Sequence, residues 1–309
     1  MSVVVVILPV FLVIVLGYCL RHFGVFAAEF WRGAEMLVYR VLLPILLFYS
    51  IANSQLNIAQ VAPLVVAVVI ATLSVSAFLW FMRARYSIEN AEFASIFQGA
   101  VHANVGYVGM PCVLALYGLK GVAIYAMMIA FIVPFINILV VTMLSILSTQ
   151  KIFHPLKILK NVLTSPQVLA CLLGMLWLIS GFPLPKVFAS ALNLVANASA
   201  PIGLMVVGAA LNIKAVRGYE WPMILSSVTK LLLMPLSVMV LISWFGVSGL
   251  AAQVVVLYAT LPAAAAATVL AARFGGNVPM ASAIVTLETI VSMLSIPLLI
   301  QLARALFPT

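Results

Sequence analysis

Residues 102–111 read HANVGYVGMP, which places two glycines, an asparagine, a histidine and a proline inside a run otherwise apolar enough to cross a membrane. That run covers 93–118, so its centre falls at Asn104, Val105 and Gly106. Gly106 and Gly109 each lower helix propensity by up to ~1 kcal/mol relative to alanine. Pro111 lacks an amide hydrogen and crowds the preceding turn, yet it suits the first turn of a new helix. The stretch predicts a helix broken at the bilayer midplane, with 104–110 as the irregular crossing and Pro111 at the restart. Unwound backbone at that depth has to be buried in protein or line a wet cavity.

The surrounding chain fits a membrane reading. Of 309 residues, 66% are hydrophobic and 7% charged, against roughly 25% charged in a soluble domain. Apolar runs of about 20 residues, enough for a helix to cross a core ~30 Å thick, return throughout. They lack the period-two alternation of barrel strands. We expect an all-α integral membrane protein with ten spans, at roughly 3–20, 31–52, 59–82, 93–118, 122–147, 164–179, 187–211, 221–245, 250–274 and 278–302. No basic leader precedes the first run, which reads as a retained span.

The formal charge of +9 is explained by topology and not by nucleic-acid binding. Connections on one side collect Arg21, Arg32, Arg83, Arg85, Lys151, Lys157, Lys160, Lys214, Arg217 and Arg273; the other side has Lys120, Lys186 and Arg304. The basic side is expected in the cytoplasm, with both termini outside it. Short loops suit a bacterial cytoplasmic (inner) membrane. Cys19, Cys112 and Cys171 lie in apolar runs at spacings that suit neither zinc nor a disulfide framework. No metal or cofactor is expected.

The polar connection 149–163, with three lysines and His154, reads as a basic linker lying on anionic membrane lipid. It separates a first five-helix repeat, 1–148, from a second, 164–309. Adding 157 to a first-half position takes Pro9 to Pro166, Gly17 to Gly174, Gly24 to Gly181 and Pro44 to Pro201. Two five-span halves insert in opposite orientations, the 5+5 inverted-repeat plan of secondary transporters. The second half has its own central proline, Pro262 in the ninth span, offset by 151 from Pro111; an indel or a shifted break is needed there. Two broken helices crossing at the midplane would aim half-helix N-termini at an anion. The competing reading is close helix packing through small residues.

With these residues in place, the chain resembles a bacterial member of the auxin efflux carrier family, which includes plant auxin exporters and bacterial permeases described as malonate or organic-acid transporters. The resemblance rests on LGYCLRHFGVF at 16–26, YRVLLPILLF at 39–48, NVGYVGMP at 104–111, APIGLMVVGAAL at 200–211, KLLLMPL at 230–236 and LSIPLL at 294–299. It implies the ten-helix fold of bile acid symporters and sodium/proton antiporters. Spans one, two, six and seven would then form a scaffold and homodimer surface, against which a transport domain moves. The chain departs from the family at Ala263–Ala267, where many relatives carry a polar residue. That weakens ion coordination from the ninth span. The long cytoplasmic loop of plant exporters is absent.

The expected substrate-binding residues are Asn104, Val105, Gly106, Tyr107, Gly109 and Pro111 of the first crossing, with Leu261, Pro262 and Ala263 of the second. Ser50, Asn53 and Asn137 are candidates from neighbouring spans. Glu288 is the one acidic residue deep in a span, and an intramembrane carboxylate is a functional candidate by default. It either carries a coupling proton or pairs inside the bundle, for example with Lys230. Arg40 and Lys230 either snorkel to the interface or line an anion-attracting cavity; His102 is a proton relay or a packed hydrogen-bonding residue.

The function expected is a secondary carrier of a small organic anion, a carboxylate of malonate-like or auxin-like type, with proton or sodium as an open coupling ion. A sodium/proton-type antiporter is the alternative on the same fold, weakened by the lack of any aspartate. A membrane sensor is a second alternative. No Walker motif is present. An enzyme is not expected, because three separated histidines and one deep carboxylate assemble no catalytic set.

Overall fold

The computed structural model describes residues 3–54, 61–148, 164–216 and 218–308. The expected linker at 149–163 and Arg217 lie outside the described residues. Thirteen α-helices are present among the described residues: α1 (Val3–His22), α2 (Ala28–Leu37), α3 (Leu43–Ala52), α4 (Ala62–Tyr86), α5 (Asn90–Val101), α6 (Met110–Leu147), α7 (Pro166–Ser180), α8 (Lys186–Ala210), α9 (Glu220–Val228), α10 (Met234–Trp244), α11 (Gly249–Thr260), α12 (Ala266–Phe274) and α13 (Val278–Leu306). There is no strand among them, only one isolated bridge.

Among the described residues, seven helical stretches are long and apolar enough to cross a membrane, fewer than the ten spans expected. The difference arises where helices are broken or joined. The stretch Val105–Leu147 runs for 43 residues, but Gly118 inside it is non-helical at φ 59° and ψ −160°, a left-handed φ that glycine adopts without a Cβ penalty. Pro166–Ser180 has 15 residues, and the expected ninth span is divided into α11 and α12, of 12 and 9 residues. Outward-facing side chains such as Leu173, Leu176, Val187 and Leu194 are apolar and exposed, as a lipid-facing surface requires.

The helices meet in a pattern that follows the 157-residue offset. The two most extensive helix pairs are α1 with α8 and α3 with α7. A Cβ at Gly17 would stand 2.1 Å from the Met205 carbonyl oxygen, and one at Gly174 would stand 3.2 Å from the Phe48 carbonyl oxygen. Phe48 and Met205 are separated by the same 157 positions as the two glycines. Gly24 and Gly181, likewise paired by that offset, have φ of 69° and 70° in the turns after α1 and α7.

Among the described residues, three π-helical turns join otherwise α-helical segments: π1 (Val38–Leu42), π2 (Val105–Gly109) and π3 (Thr229–Leu233). Each ends two residues before a proline, Pro44, Pro111 or Pro235. A proline cannot donate to the carbonyl four residues back, and its ring crowds that carbonyl. The residue before each proline bonds five back instead, Leu43 to Val38, Met110 to Val105 and Met234 to Thr229. Pro9, Pro134, Pro201 and Pro297 lie within helices that keep α geometry, so proline permits the wide turn without compelling it. The three π turns carry Arg40, the pair Gly106 and Tyr107, and Lys230.

Candidate functional site

The first break is shorter and earlier than expected. α5 ends at Val101, His102 is extended, Ala103 forms the bridge, Asn104 turns at φ −79° and ψ 69°, and 105–109 coil as π2 rather than lying open. The second break covers 261–265 between α11 and α12. The extended pieces cross and pair: Ala103 faces Ala263 in an antiparallel bridge. The Asn104 amide donates to the Pro262 carbonyl at 2.8 Å, and the Ala264 amide donates to the His102 carbonyl at 2.8 Å. His102 and Pro262 are separated by 160 positions, as are Asn104 and Ala264. The two prolines are therefore not counterparts: Pro262 lies in its crossing, whereas Pro111 lies in the first turn of α6.

Several backbone groups at the crossing are met by specific side chains. The Asn104 Oδ1 accepts from the Tyr107 amide at 3.3 Å, capping π2. The Tyr125 hydroxyl donates to the Val105 carbonyl at 2.9 Å. Gly109 leaves room for that hydroxyl, since a Cβ there would stand 2.1 Å from it. On the other strand of the crossing, the Ala263 amide donates to Glu288 Oε2 at 2.9 Å, and the Ser226 hydroxyl donates to Glu288 Oε1 at 2.8 Å.

A cavity of about 680 Å³ opens against one face of this crossing. Its wall includes His102 through Tyr107, Ala264 through Ala266, Arg32, Glu35, Tyr39, Arg40, Asn137, Gln167 and Tyr258. Two arginines and one glutamate thus line the cavity. Asn104 is 3% exposed, and its Nδ2 has no partner among the described residues. Ala265 and Ala266, at the N-terminal end of α12, place free amide hydrogens and the positive end of the helix dipole at the same wall.

Of the expected residues, Asn104, Val105, Gly106, Tyr107, Asn137, Arg40 and His102 line this cavity. Leu261, Pro262 and Ala263 build the crossing without reaching its wall, and Gly109 and Pro111 support π2 and the start of α6. Ser50 donates to the Leu46 carbonyl within its own helix at 2.7 Å, and Asn53 caps the end of α3. Glu288 and Lys230 are buried elsewhere, at 0% and 1% exposure.

The sequence does not by itself place Arg32, Glu35, Gln98, Tyr125, Gln167, Ser226 or Tyr258 at the site. Arg32, Glu35, Tyr39 and Arg40 follow helical spacing along one face, a signal that could have found the first pair from Arg40. Ser226 stands four residues before Lys230, on its face. Nothing local marks Tyr125, whose partner is 20 positions away.

The chain matches the family model described as "Membrane transport protein" over residues 2–300. It is similar to an uncharacterized transporter of Methanothermobacter thermautotrophicus, 26% identical over 295 residues that cover 94% of this chain and 95% of that protein. It is also similar to an uncharacterized transporter of Methanocaldococcus jannaschii, 22% identical over 300 residues, with 95% and 96% covered.

Proposed function

The chain belongs to the membrane transport protein family, and on that premise we propose that it is a secondary carrier of a small organic anion, working by alternating access in a bacterial inner membrane. The observation that carries this reading is the cavity wall at the crossing. Arg32 and Arg40 outnumber Glu35, and the N-terminal end of α12 stands on the same wall. Donors and dipoles of this kind favour a carboxylate. The remaining wall, with Met36, Val133, Ile136 and Leu270, is apolar and accommodates the carbon skeleton of a malonate-like or auxin-like acid.

The ten-span 5+5 inverted repeat belongs to this proposal. It is supported by the paired turns at Gly24 and Gly181, by the matching α1–α8 and α3–α7 seams, and by the two-fold hydrogen bonding of the crossing. In this reading the cavity, bounded by Arg32 and by Ser165 at the start of α7, faces the cytoplasm. Both termini lie outside, and the α1, α7 and α8 surface meets lipid or a second copy. A sodium/proton antiporter would need an acidic cavity, and Glu35 stands here between two arginines.

Reconstitution into proteoliposomes tests the reading, with a panel of labelled mono- and dicarboxylates and with pH and sodium gradients imposed separately. Saturable uptake of an acid supports it and identifies the coupling ion. Robust cation exchange with no uptake of any acid would assign the antiporter function instead.

A further inference from the structure

A second cavity, of about 440 Å³, lies where the turn between α4 and α5 meets the start of α9, and it shares no lining residue with the cavity at the crossing. The turn that builds it is tight: Ser87 closes α4 in the left-handed region at φ 50°, and both its amide and that of Ile88 donate to the Arg83 carbonyl. Tyr86 of α4 and Glu89 at the start of α5 are thereby brought to one cavity. Trp221 of α9, 135 positions after Tyr86, joins them, with its ring centroid 5.5 Å from that of Tyr86 and the two planes at 58°.

The charges lining this cavity are of one sign. Glu89 and Glu92 line it, and among the described residues no basic side chain does. Glu89 stands just before the first turn of α5, but its side chain makes no capping hydrogen bond. Arg83 is committed elsewhere: its guanidinium lies 4.7 Å from the Trp80 ring centroid and 5.0 Å from that of Phe93, and its Nη2 donates to Asn90 Oδ1 at 2.5 Å. The helix dipole favours acidic residues at a helix start, which accounts for the two carboxylates and not for the aromatic pair that shares their cavity. Aromatic faces together with carboxylates are the surroundings that an organic ammonium selects.

The surface beside the cavity bears on what carries that ammonium. Trp221, Ile224, Val228 and Leu232 are exposed and follow helical spacing, so they form one apolar row about 16 Å long. One leaflet, half of a hydrocarbon core ~30 Å thick, has the same depth. The cavity stands at the Trp221 end of the row, and tryptophan and tyrosine are the residues that sit at headgroup level. The exposed Arg85 has its guanidinium 5.6 Å from the Tyr86 ring centroid, beside the cavity and open to a phosphate. We propose that the cavity holds the ammonium of a phospholipid with an ethanolamine headgroup, with Tyr86 and Trp221 against it, Glu89 and Glu92 as its counter-charges, Arg85 on the phosphate and one acyl chain along the row. A primary ammonium donates hydrogen bonds to the carboxylates as well as lying on the rings, which favours ethanolamine over choline. The site rests on the chain's spanning a membrane and not on the carrier reading.

The test is native mass spectrometry of the purified full chain in detergent, titrated with phosphatidylethanolamine or phosphatidylglycerol of identical acyl chains. Wild type is expected to retain one phosphatidylethanolamine about tenfold more tightly than phosphatidylglycerol. That preference should be lost in Trp221→Ala and in the double variant Glu89→Gln with Glu92→Gln, each verified as folded by its melting temperature. Where Trp221→Ala does not fold, Tyr86→Ala supplies the same test from the other ring. Equal retention of the two lipids by wild type overturns the proposal. So does a preference that survives in either variant; survival without the ring would mean that the carboxylates hold a metal ion bridging to the lipid phosphate. Glycerophosphoethanolamine, the headgroup without acyl chains, should compete only weakly. Displacement of the lipid by an equal concentration of it would make this a site for a soluble amine and overturn the lipid assignment. No arm measures transport, so the outcome is independent of the carrier reading.

Discussion

The amide of Asn104 donates to the carbonyl of Pro262 at 2.8 Å, joining the first broken helix to the second at the point where both have left helical geometry. With the reciprocal bond from Ala264 to His102, it satisfies two donors and two acceptors that would be costly to leave bare at that depth. The same pairing places Asn104, His102 and the α12 N-terminus on one cavity wall. The break in the helix, its compensation and the candidate site are consequently one arrangement.

The clearance at Gly109 predicts a local stability effect. Gly109→Ala places a methyl group where the Tyr125 hydroxyl now sits and is expected to cost about 1–3 kcal/mol. Tyr125→Phe removes only the bond to the Val105 carbonyl and is expected to cost about 1 kcal/mol. Thermal unfolding in detergent checks both. Because they act on one contact, combining Gly109→Ala with Tyr125→Phe should cost less than the sum of the two.

Ser226 donates to a buried carboxylate, and hydrogen bonds to charged groups are the stronger kind. Ser226→Ala is expected to lower stability by about 2 kcal/mol. Gly99→Ala, whose Cβ would stand 2.3 Å from the same hydroxyl, should be at least as damaging. A melting temperature unchanged in both variants would remove Ser226 as a support of Glu288.

The α1–α8 seam is a backbone contact. Gly17→Leu would drive a side chain into the Met205 backbone, and the expected result is loss of folded protein. Gly33→Leu, at a glycine where an added Cβ would meet no atom within 4 Å, is the matched control and should fold. Size-exclusion chromatography of detergent extracts distinguishes them.

Much of this arrangement could be read in the sequence because glycine and proline act locally. HANVGYVGMP marked the first break, Pro262 the second, and the offset of 157 paired Gly24 with Gly181. The extent of the first break was misjudged, since glycine propensity does not reveal that 105–109 recovers as a π turn once Tyr125 and the Met110 amide satisfy the Val105 carbonyl. The span boundary expected at Gly118 coincides with a residue of non-helical geometry inside the 43-residue apolar stretch. Glu288 could be singled out by its burial in an apolar segment. Its partners Ser226 and Ala263 could not, because they are 62 and 25 positions away.

Arg40 lines the cavity from π1 and is a cation whose charge the proposed substrate would meet there. Arg40→Gln is expected to raise the half-saturating concentration of the transported acid about tenfold, with Arg40→Lys falling in between. Concentration-dependent uptake checks this, and equal half-saturation in all three proteins would exclude Arg40 from substrate binding.

Gly106 packs against Leu43 and Gln167 at the cavity wall, where a Cβ would stand 2.9 Å from Leu43 Cδ1 and 3.6 Å from Gln167 Nε2. The most direct measurement is uptake of the labelled carboxylate panel by proteoliposomes holding either wild type or Gly106→Leu, each verified as folded. Saturable uptake by wild type and none by the variant is the predicted result. Equal uptake by both, or no uptake of any acid by wild type, would contradict an organic anion pathway through this crossing.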